Sequence, residues 1–527
     1  MSLLPDFGGL AARLSPEAAL STSSASRITY ARDCWPRLQL QARAGRHAIH
    51  PPDAVVSPAT PGDVLTVVNW CAERGVPLVA FGAGSGVCGA SVPVRGGITL
   101  DLKRLLSLDT SRIASGLIRA GAGWIGQRLE HELNRLGYTL GHFPSSIGCS
   151  TVGGYVATRS AGQYSTRFGK IEDMVVGVRF VDGRGEVRDS FSVDQDITAL
   201  LVGSEGTFGV ITDVWLHVEP HGVHRAFRGF WAPSLDHGLD AMRRALQAGH
   251  QPAVFRLYDP FDSFISGARK AVDEPLRMPT ERRPAAAPDT LPGWLPEGLS
   301  PRQARSAAFA AANAVLSRTP LSMRLLRRLA ERVETGCLLI AGVEEHDADD
   351  AALLGDSLFA DLRASLQDLG PGPGNYWFAH RHDVSFKMPT LLRAGMFVDT
   401  MEVTADWSRV AGLYGAVREA ISPHAFVMAH FSHAYTTGSS IYFTFAGFGR
   451  DNEDCLDRYD QIWRLGLEAV TRFGGSATHH HGVGLLKAPW LRHDQPGAET
   501  RFDSLRELLD PAGVLNPGKL WNAEGAR

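Results

Sequence analysis

The sequence predicts an α+β fold of at least two domains. Three observations carry that expectation. The chain has 527 residues, about three times the usual domain. Strand and helix signals mix irregularly up to about Pro220, and a fresh strand, helix and strand follow. The organisation reads as an N-terminal extension over 1–49, a first domain over 50–220, a cap domain over 221–465 and a C-terminal segment over 466–527.

In "HPPDAVVSPATPGDVLTVVNWCAERGVPLVAFGAGSG" the order is turn, short strand, helix, strand. Thr60-Pro61-Gly62-Asp63 starts the helix, since a proline early in a helix gives up only an N–H with no intrahelical partner; Gly75 ends it. The apolar run Val76 to Phe81 empties into the loop Gly82-Ala83-Gly84-Ser85-Gly86, and a strand feeding such a loop offers bare amides to an anion. Further strands lie in "GGITLDLKRL" and "GLIRAGAGW", a helix in "IGQRLEHELNRLG", and a strand in "EDMVVGVRFVDGRGEV", where Asp182-Gly183 signals a hairpin turn.

Past Pro220, "RAFRGFWAPSLDHGLDAMRRALQAGHQPAVFRLYDP" reads strand, helix, strand. Prolines from Pro275 to Pro301 are too dense for a helix or a central strand and mark an insert. The stretch from Pro301 to Val333 reads as helix: a surface helix burying Leu321, Leu325, Leu326 and Leu329, or alternatively a membrane-facing or lid helix. The last third holds strands in "MFVDTMEV" and "SSIYFTFAGF" and a helix over "DCLDRYDQIWRLGLEAVTRFGG".

The net charge of -3 is no footprint for a phosphate backbone, so the expected partner is a small molecule and not a nucleic acid. Six cysteines without CxxC spacing suit reduced thiols. With no secretion signal and no apolar run of membrane-spanning length, a soluble cytoplasmic protein is expected, with peripheral membrane contact confined to the lid alternative.

Small residues recur at Ser145, Ser146, Gly148, Ser150, Thr151, Gly153, Gly154, Thr158 and Ser160, and again in "GSEGTFGVIT" from Gly203 to Thr212. Either run alone reads equally well as a turn-rich connector. Together with the Gly82 loop they describe a surface of hydroxyls and bare amides for a flat, phosphate-bearing cofactor.

The segments "PLVAFGAGSG", "CSTVGGYVATRSAGQYSTRFGKIEDMVVGVRFVDGRGE", "LLVGSEGTFGVITDV" and "DPAGVLNPGKLW" resemble the FAD-binding PCMH-type domain of the vanillyl-alcohol oxidase superfamily of FAD-linked oxidases. Within it the resemblance is to the alkyldihydroxyacetonephosphate synthases (alkylglycerone-phosphate synthases), over nearly all the chain from about His50. It implies FAD held between two α+β lobes and facing the cap. Carried over by position, the contacts fall on Phe81, Gly82, Ala83, Gly84, Ser85, Gly86 and Val87, and on Ser145, Ser146, Ile147, Gly148, Cys149, Ser150 and Thr151. They continue on Thr158, Arg159, Ser160 and Ala161, and on Gly203, Ser204, Glu205, Gly206, Thr207, Phe208 and Gly209. Noncovalent binding is expected, because the Gly82 loop holds no histidine or cysteine before Cys88.

The same resemblance implies a transferase of ether lipid biosynthesis, a homodimer, with a lipid-like substrate. It exchanges the acyl group of an acyl-dihydroxyacetone phosphate for a fatty alcohol, flavin N5 holding the substrate carbon while the carboxylate leaves and the alkoxide enters. Arg256 in "QPAVFRLYDP" takes the role of phosphate ligand, which a guanidinium suits. Tyr442 in "HFSHAYTTGSSIYFTFAG" takes the role of catalytic tyrosine. A phenol with a reference pKa of about 10 needs a polar or cationic neighbour to act as a base, a part assigned to His480. Where animal synthases carry a second arginine the alignment gives Met388, with Arg381 or Lys387 as replacements for the charge. The alternative on the same scaffold is an FAD-linked oxidase or dehydrogenase of a hydroxy acid or alcohol.

The stretch "ATHHHGVGLLK" places His479, His480 and His481 in a row. Neighbouring side chains point to opposite faces of a strand and diverge by about 100° in a helix, which works against a shared metal ion. Related D-2-hydroxyacid dehydrogenases hold a metal through "GHxGDGNLH" and an acidic residue before "HGVG". Here Tyr442 replaces the second histidine and His480 the acid, so no metal is expected. The three histidines read as acid/base or phosphate-binding groups, with His479 and His481 positioning the alcohol, or as structural residues.

Overall fold

The computed structural model describes residues 7–191, 197–265, 336–382 and 388–522. The proline-rich insert, the helix expected over Leu321 to Val333 and Lys387 lie outside the described residues. The chain divides into two units: Met1–Leu38, Gly45–Gly222 and Ser476–Arg527 form the first, Gln39–Ala44 and Val223–Gly475 the second.

Two expected boundaries move. Residues before 49 are not an appendage, for Phe7 and Leu10 are buried in the first unit's core beside Trp70. The helix Asn452–Phe473 runs unbroken through 465/466 and ends at Gly474, whose φ of 70° is left-handed, so the division falls after Gly475.

In the first unit, strands β1 (Ala19–Ser21), β2 (Ala54–Ser57), β3 (Leu78–Phe81) and β4 (Ile98–Asp101) form a sheet in the order β1-β2-β4-β3. The helix Pro61–Arg74 connects the parallel strands, as βαβ geometry requires. Its ends are those the sequence predicts: Thr60 and Asp63 form a capping box and Gly75 closes the helix at φ 64°. Val64, Val67, Val68, Trp70 and Cys71 face the sheet.

A second sheet, in the order β5-β6-β10-β8-β9, contains β5 (Leu108–Asp109), β6 (Leu117–Gly121), β8 (Val175–Val181), β9 (Val187–Asp189) and β10 (Val210–His217). The short β7 (Tyr138–Thr139) pairs separately with β11 (Glu219–Pro220). The hairpin signalled by Asp182-Gly183 exists, but its turn is longer than two residues. Asp182 N–H donates to the Glu186 carbonyl, and Gly185 takes the positive φ of 72°.

The second unit is built on a seven-stranded antiparallel sheet in the order β15-β12-β14-β13-β17-β18-β16. Its strands are β12 (His224–Ala232), β13 (Val254–Tyr258), β14 (Cys337–Glu345), β15 (Gln367–Gly370), β16 (Met396–Asp406), β17 (Phe426–Ala434) and β18 (Gly438–Phe448). Alternation sorts the residues by face. Leu257, Phe431, Phe443, Phe445 and Met401 are buried. They meet the helices: Tyr414 of Val410–Ile421 stacks on Phe443, Trp463 of Asn452–Phe473 meets Phe445 edge-on, and Gly238 and Gly466 lie against Leu257 and Met401. The residues between them face the other way. Among the described residues no helix is long and apolar enough to cross a membrane.

One carboxylate ties the N-terminal segment to the first unit. Asp63 accepts from the Ser15 N–H at 2.7 Å and hydroxyl at 2.8 Å, from the Ala59 N–H, and from the Thr60 N–H and hydroxyl. Burial alone would raise its pKa, but the hydrogen bonds from Ser15 and Thr60 outweigh that and hold it below the usual carboxylate range. Its stabilisation is therefore full above the ordinary carboxylate pKa of about 4 and fades as pH falls through the lower folded value. Asp63→Ala should cost about 2–3 kcal/mol by denaturant titration at pH 7. The difference from the parent protein should shrink on acidification.

Candidate functional site

The first unit brings the three small-residue runs together around the end of β3. An added Cβ at Gly82 would run into the Thr151 hydroxyl, and one at Gly84, at φ 66°, into the Phe81 ring. Only glycine allows this approach. Gly82 to Val87 are half-buried, and among the described residues the amides of Ala83, Gly84, Ser85 and Val87 donate to no protein acceptor. Consecutive unused amides are an anion cradle. Ser145, Gly148 and Cys149 are exposed beside buried Ile147, while Ser150 donates to the Ser146 carbonyl at 2.8 Å.

Several side chains expected to touch a ligand are committed elsewhere. Arg159 pairs with Glu172 at 2.7 Å, and the Thr158 hydroxyl donates to the Gly154 carbonyl. Ser204 and Thr207 donate to the Leu201 and Ser204 carbonyls, and the Phe208 ring packs on Phe502. Glu205, buried at φ 50°, accepts from Val483 N–H at 2.6 Å and from Gly484 N–H at 2.9 Å. These contacts help build the loop. Burial raises the Glu205 pKa against those two amides and Lys519. Lys519 donates to the Val92 carbonyl at 2.6 Å; burial lowers its pKa to about 8, offset by Glu205 and Asp33.

The Glu205 anchor fixes the start of the closing segment and with it the three histidines. Gly482 (φ 74°) would place a Cβ 2.8 Å from the Glu205 carboxylate, and Gly484 (φ 54°) one against the Cys88 carbonyl. Residues 479–481 are a bend, neither strand nor helix, so the expected divergence of adjacent side chains fails. His479 Nδ1 and His480 Nδ1 lie 3.1 Å apart, and the His480 and His481 rings meet edge-on at 4.6 Å. Sequence reading missed His142, which is buried with Nε2 3.0 Å from the Ser160 hydroxyl and Nδ1 without a partner among the described residues. Burial, then the nearby His480, lowers its pKa to about 3, so it is neutral. Its only signal was its place in "GHFPSS".

In the second unit, register does the positioning. Tyr258 of β13 pairs with His430 of β17, His430 with Tyr442 of β18, and Tyr442 with Glu402 of β16. Directly opposed residues share a face, so four polar side chains form one row on the side away from the helices Val410–Ile421 and Asn452–Phe473. Arg256, two residues before Tyr258, shares that face; its Nη2 lies 2.7 Å from His430 Nε2. The His430 ring stacks on Tyr442 at 4.8 Å. Asp262, from the helix Pro260–Ile265, lies 3.5 Å from His430 Nδ1. Burial and then the neighbouring Asp259 push the Asp262 carboxyl up to about 7, against the pull of Arg256.

Tyr442 does not become a ready base. Burial pushes its phenol up to about 12, Asp399 and Glu402 add to the rise, and the Thr400 hydrogen bond and Arg256 only partly offset it. The neighbour anticipated for Tyr442 was His480, which belongs to the first unit; within the second unit that neighbour is His430. Arg381 is not in the row. It follows the helix Gly372–His380, donates to the Phe378 carbonyl at 3.1 Å and lies 4.0 Å over the Phe378 ring. Met388 opens the helix Met388–Arg393.

Residues 52–190 match the family described as FAD binding domain, and residues 224–520 that described as FAD linked oxidases, C-terminal domain. An alkyldihydroxyacetonephosphate synthase of Dictyostelium discoideum is 28% identical, over 95% of this chain and 78% of that protein. An uncharacterized FAD-linked oxidoreductase of Escherichia coli is 26% identical over 91% of each. A solved alkyldihydroxyacetonephosphate synthase structure superposes with a TM-score of 0.75 at 25% identity, covering 98% of this chain and 85% of that one. The cofactor is FAD, and the unused amides of Ala83 to Val87 suit its pyrophosphate, because oriented N–H groups supply partial positive charge without a lysine.

Two outcomes follow. Acid precipitation of the purified protein should leave the flavin in the supernatant; flavin carried down with the polypeptide would establish a covalent link. Glu205→Ala should cost about 3 kcal/mol by denaturant titration, with Glu205→Gln losing less.

Proposed function

The chain belongs to the FAD-linked oxidases, and from that membership we propose that it is an enzyme of the alkyldihydroxyacetonephosphate synthase type. It exchanges the acyl group of an acyl-dihydroxyacetone phosphate for a fatty alcohol. The observation that carries this reading is the pairing of Arg256 and Tyr442 on one sheet face. A guanidinium recognises phosphate with directed, charge-assisted donors, and Arg256 Nε is buried with no acceptor among the described residues.

FAD, when bound, supplies a ring that takes up and returns an electron pair, so the exchange ends without net oxidation. Tyr442, with its phenol at about 12, keeps its proton at neutral pH. It therefore donates a hydrogen bond to a carbonyl oxygen and acidifies the adjacent C–H, and the proton removed goes to another base. The handling of the alcohol proton by His480, with His479 and His481 positioning the alcohol, belongs to the same proposal.

A second reading, oxidation of a hydroxy acid or alcohol, draws on Met388 standing where a second arginine is expected and on the equally full match to the Escherichia coli oxidoreductase. The two separate in one experiment. With palmitoyl-dihydroxyacetone phosphate and hexadecanol under anaerobic conditions, we expect the ether product and oxidised flavin at the end. Lasting bleaching by a 2-hydroxy acid, with no ether formed, would overturn the first reading in favour of the second. Tyr442→Phe should keep FAD bound and lose about a hundredfold or more in turnover; activity near the parent level would remove the phenol from the mechanism.

A further inference from the structure

We propose that His430 is a positioning residue that orients Arg256 toward the substrate anion, with Asp262 fixing the tautomer in which His430 does so. This deepens the role given to Arg256 above and rests on that reading. The argument begins with a donor count. A guanidinium has five N–H donors, no acceptor, and keeps its charge. With Arg256 Nη2 at 2.7 Å, His430 Nε2 must therefore be the acceptor, and the imidazole proton resides on Nδ1. That nitrogen faces the Asp262 carboxylate at 3.5 Å, the kind of partner that selects a tautomer.

The ring has little freedom to turn away. Tyr442 lies nearly parallel to it at 4.8 Å and 22°, and Tyr258 flanks it at 6.0 Å. The Arg256 guanidinium is itself 5.2 Å over the Tyr258 ring, a cation–π contact. One nitrogen is thus held by the imidazole and one face by the phenol ring. Nε, buried and without an acceptor among the described residues, is a donor left for an anion. Among the described residues, the groups facing His430 include Arg256 and Tyr258 from β13, Asp262 from Pro260–Ile265 with Asp259 just before that helix, and Tyr442 from β18, with Glu402 one strand further.

A pH dependence follows from the same count. A second proton on His430 would turn the acceptor into a donor and set two cations 2.7 Å apart. The guanidinium would then leave its seat, so anion binding weakens toward acid pH.

The test uses the FAD-loaded enzyme with palmitoyl-dihydroxyacetone phosphate. His430→Ala should raise KM about tenfold or more with kcat within about threefold. His430→Gln, whose amide oxygen still accepts, should restore KM to within about threefold, and the acid-side rise in KM should be absent from its pH profile. An unchanged KM in His430→Ala, or an equal loss in both variants with the acid limb retained, overturns the proposal; a purely structural histidine would give the latter. Failure of the parent enzyme to turn over this substrate would count against the proposed function alone. Crystal structures of the two variants then decide the matter: a guanidinium displaced in His430→Ala and seated in His430→Gln supports the inference, and one unmoved in His430→Ala overturns it.

Discussion

The Glu205 carboxylate is the contact on which the first unit depends. It sits on a left-handed backbone in the loop before β10 and takes the amides of Val483 and Gly484, more than 270 residues further along. Around it, Asn516 donates to the Glu205 carbonyl at 2.6 Å and to that of Ala90, while Lys519 reaches Val92. A buried carboxylate is tolerable only when its lone pairs are filled and a cation lies near. Each of those conditions is supplied by the closing segment. The glycine loop, the histidine bend and the end of the chain are therefore one construction, and the geometry of the cradle is inherited from it.

The second unit solves a different problem, that of placing polar groups on a sheet whose other face is the core. In "IYFTF", Phe443 and Phe445 meet helices while Tyr442 and Thr444 point the opposite way. Because register is set by the apolar face, the polar row gains its alignment without any contact of its own having to be strong. The cost appears in the electrostatics. Burial drives the Tyr442 and Tyr258 phenols up and holds them protonated at neutral pH, and it raises the Asp262 carboxyl to about 7 against the pull of Arg256.

Local features were legible in the sequence and long-range pairings were not. Thr60, Asp63 and Gly75 bounded a helix because a cap is a contact between near neighbours. The glycine runs announced a cradle because small residues in an ordered pattern need a reason. By contrast neither β14, in "CLLIAGVEE", nor β17, in "FVMAHFSHA", was anticipated as a strand. Without β17, the row from Tyr258 to Glu402 cannot be assembled. His430 was not singled out; the alternation Met428, His430, Ser432 is the trace its face leaves in the sequence. The histidine triplet misled for the opposite reason. Rules for regular structure were applied to a bend shaped by Gly482 and Gly484.

The return of the chain also has a history in time. Leu78, on β3, hydrogen-bonds through its N–H to the Val514 carbonyl and through its carbonyl to the Asn516 N–H. That edge of the sheet leaves the ribosome early and waits for its partner until Val514 and Asn516, more than 430 residues later, have been made. At translation rates of about 5–20 residues per second the delay is on the order of half a minute or more, long enough for an open edge to find the wrong neighbour. A nascent chain stalled within the second unit would hold that edge exposed, and chaperones that shield unpaired strands would be expected to dwell there longest.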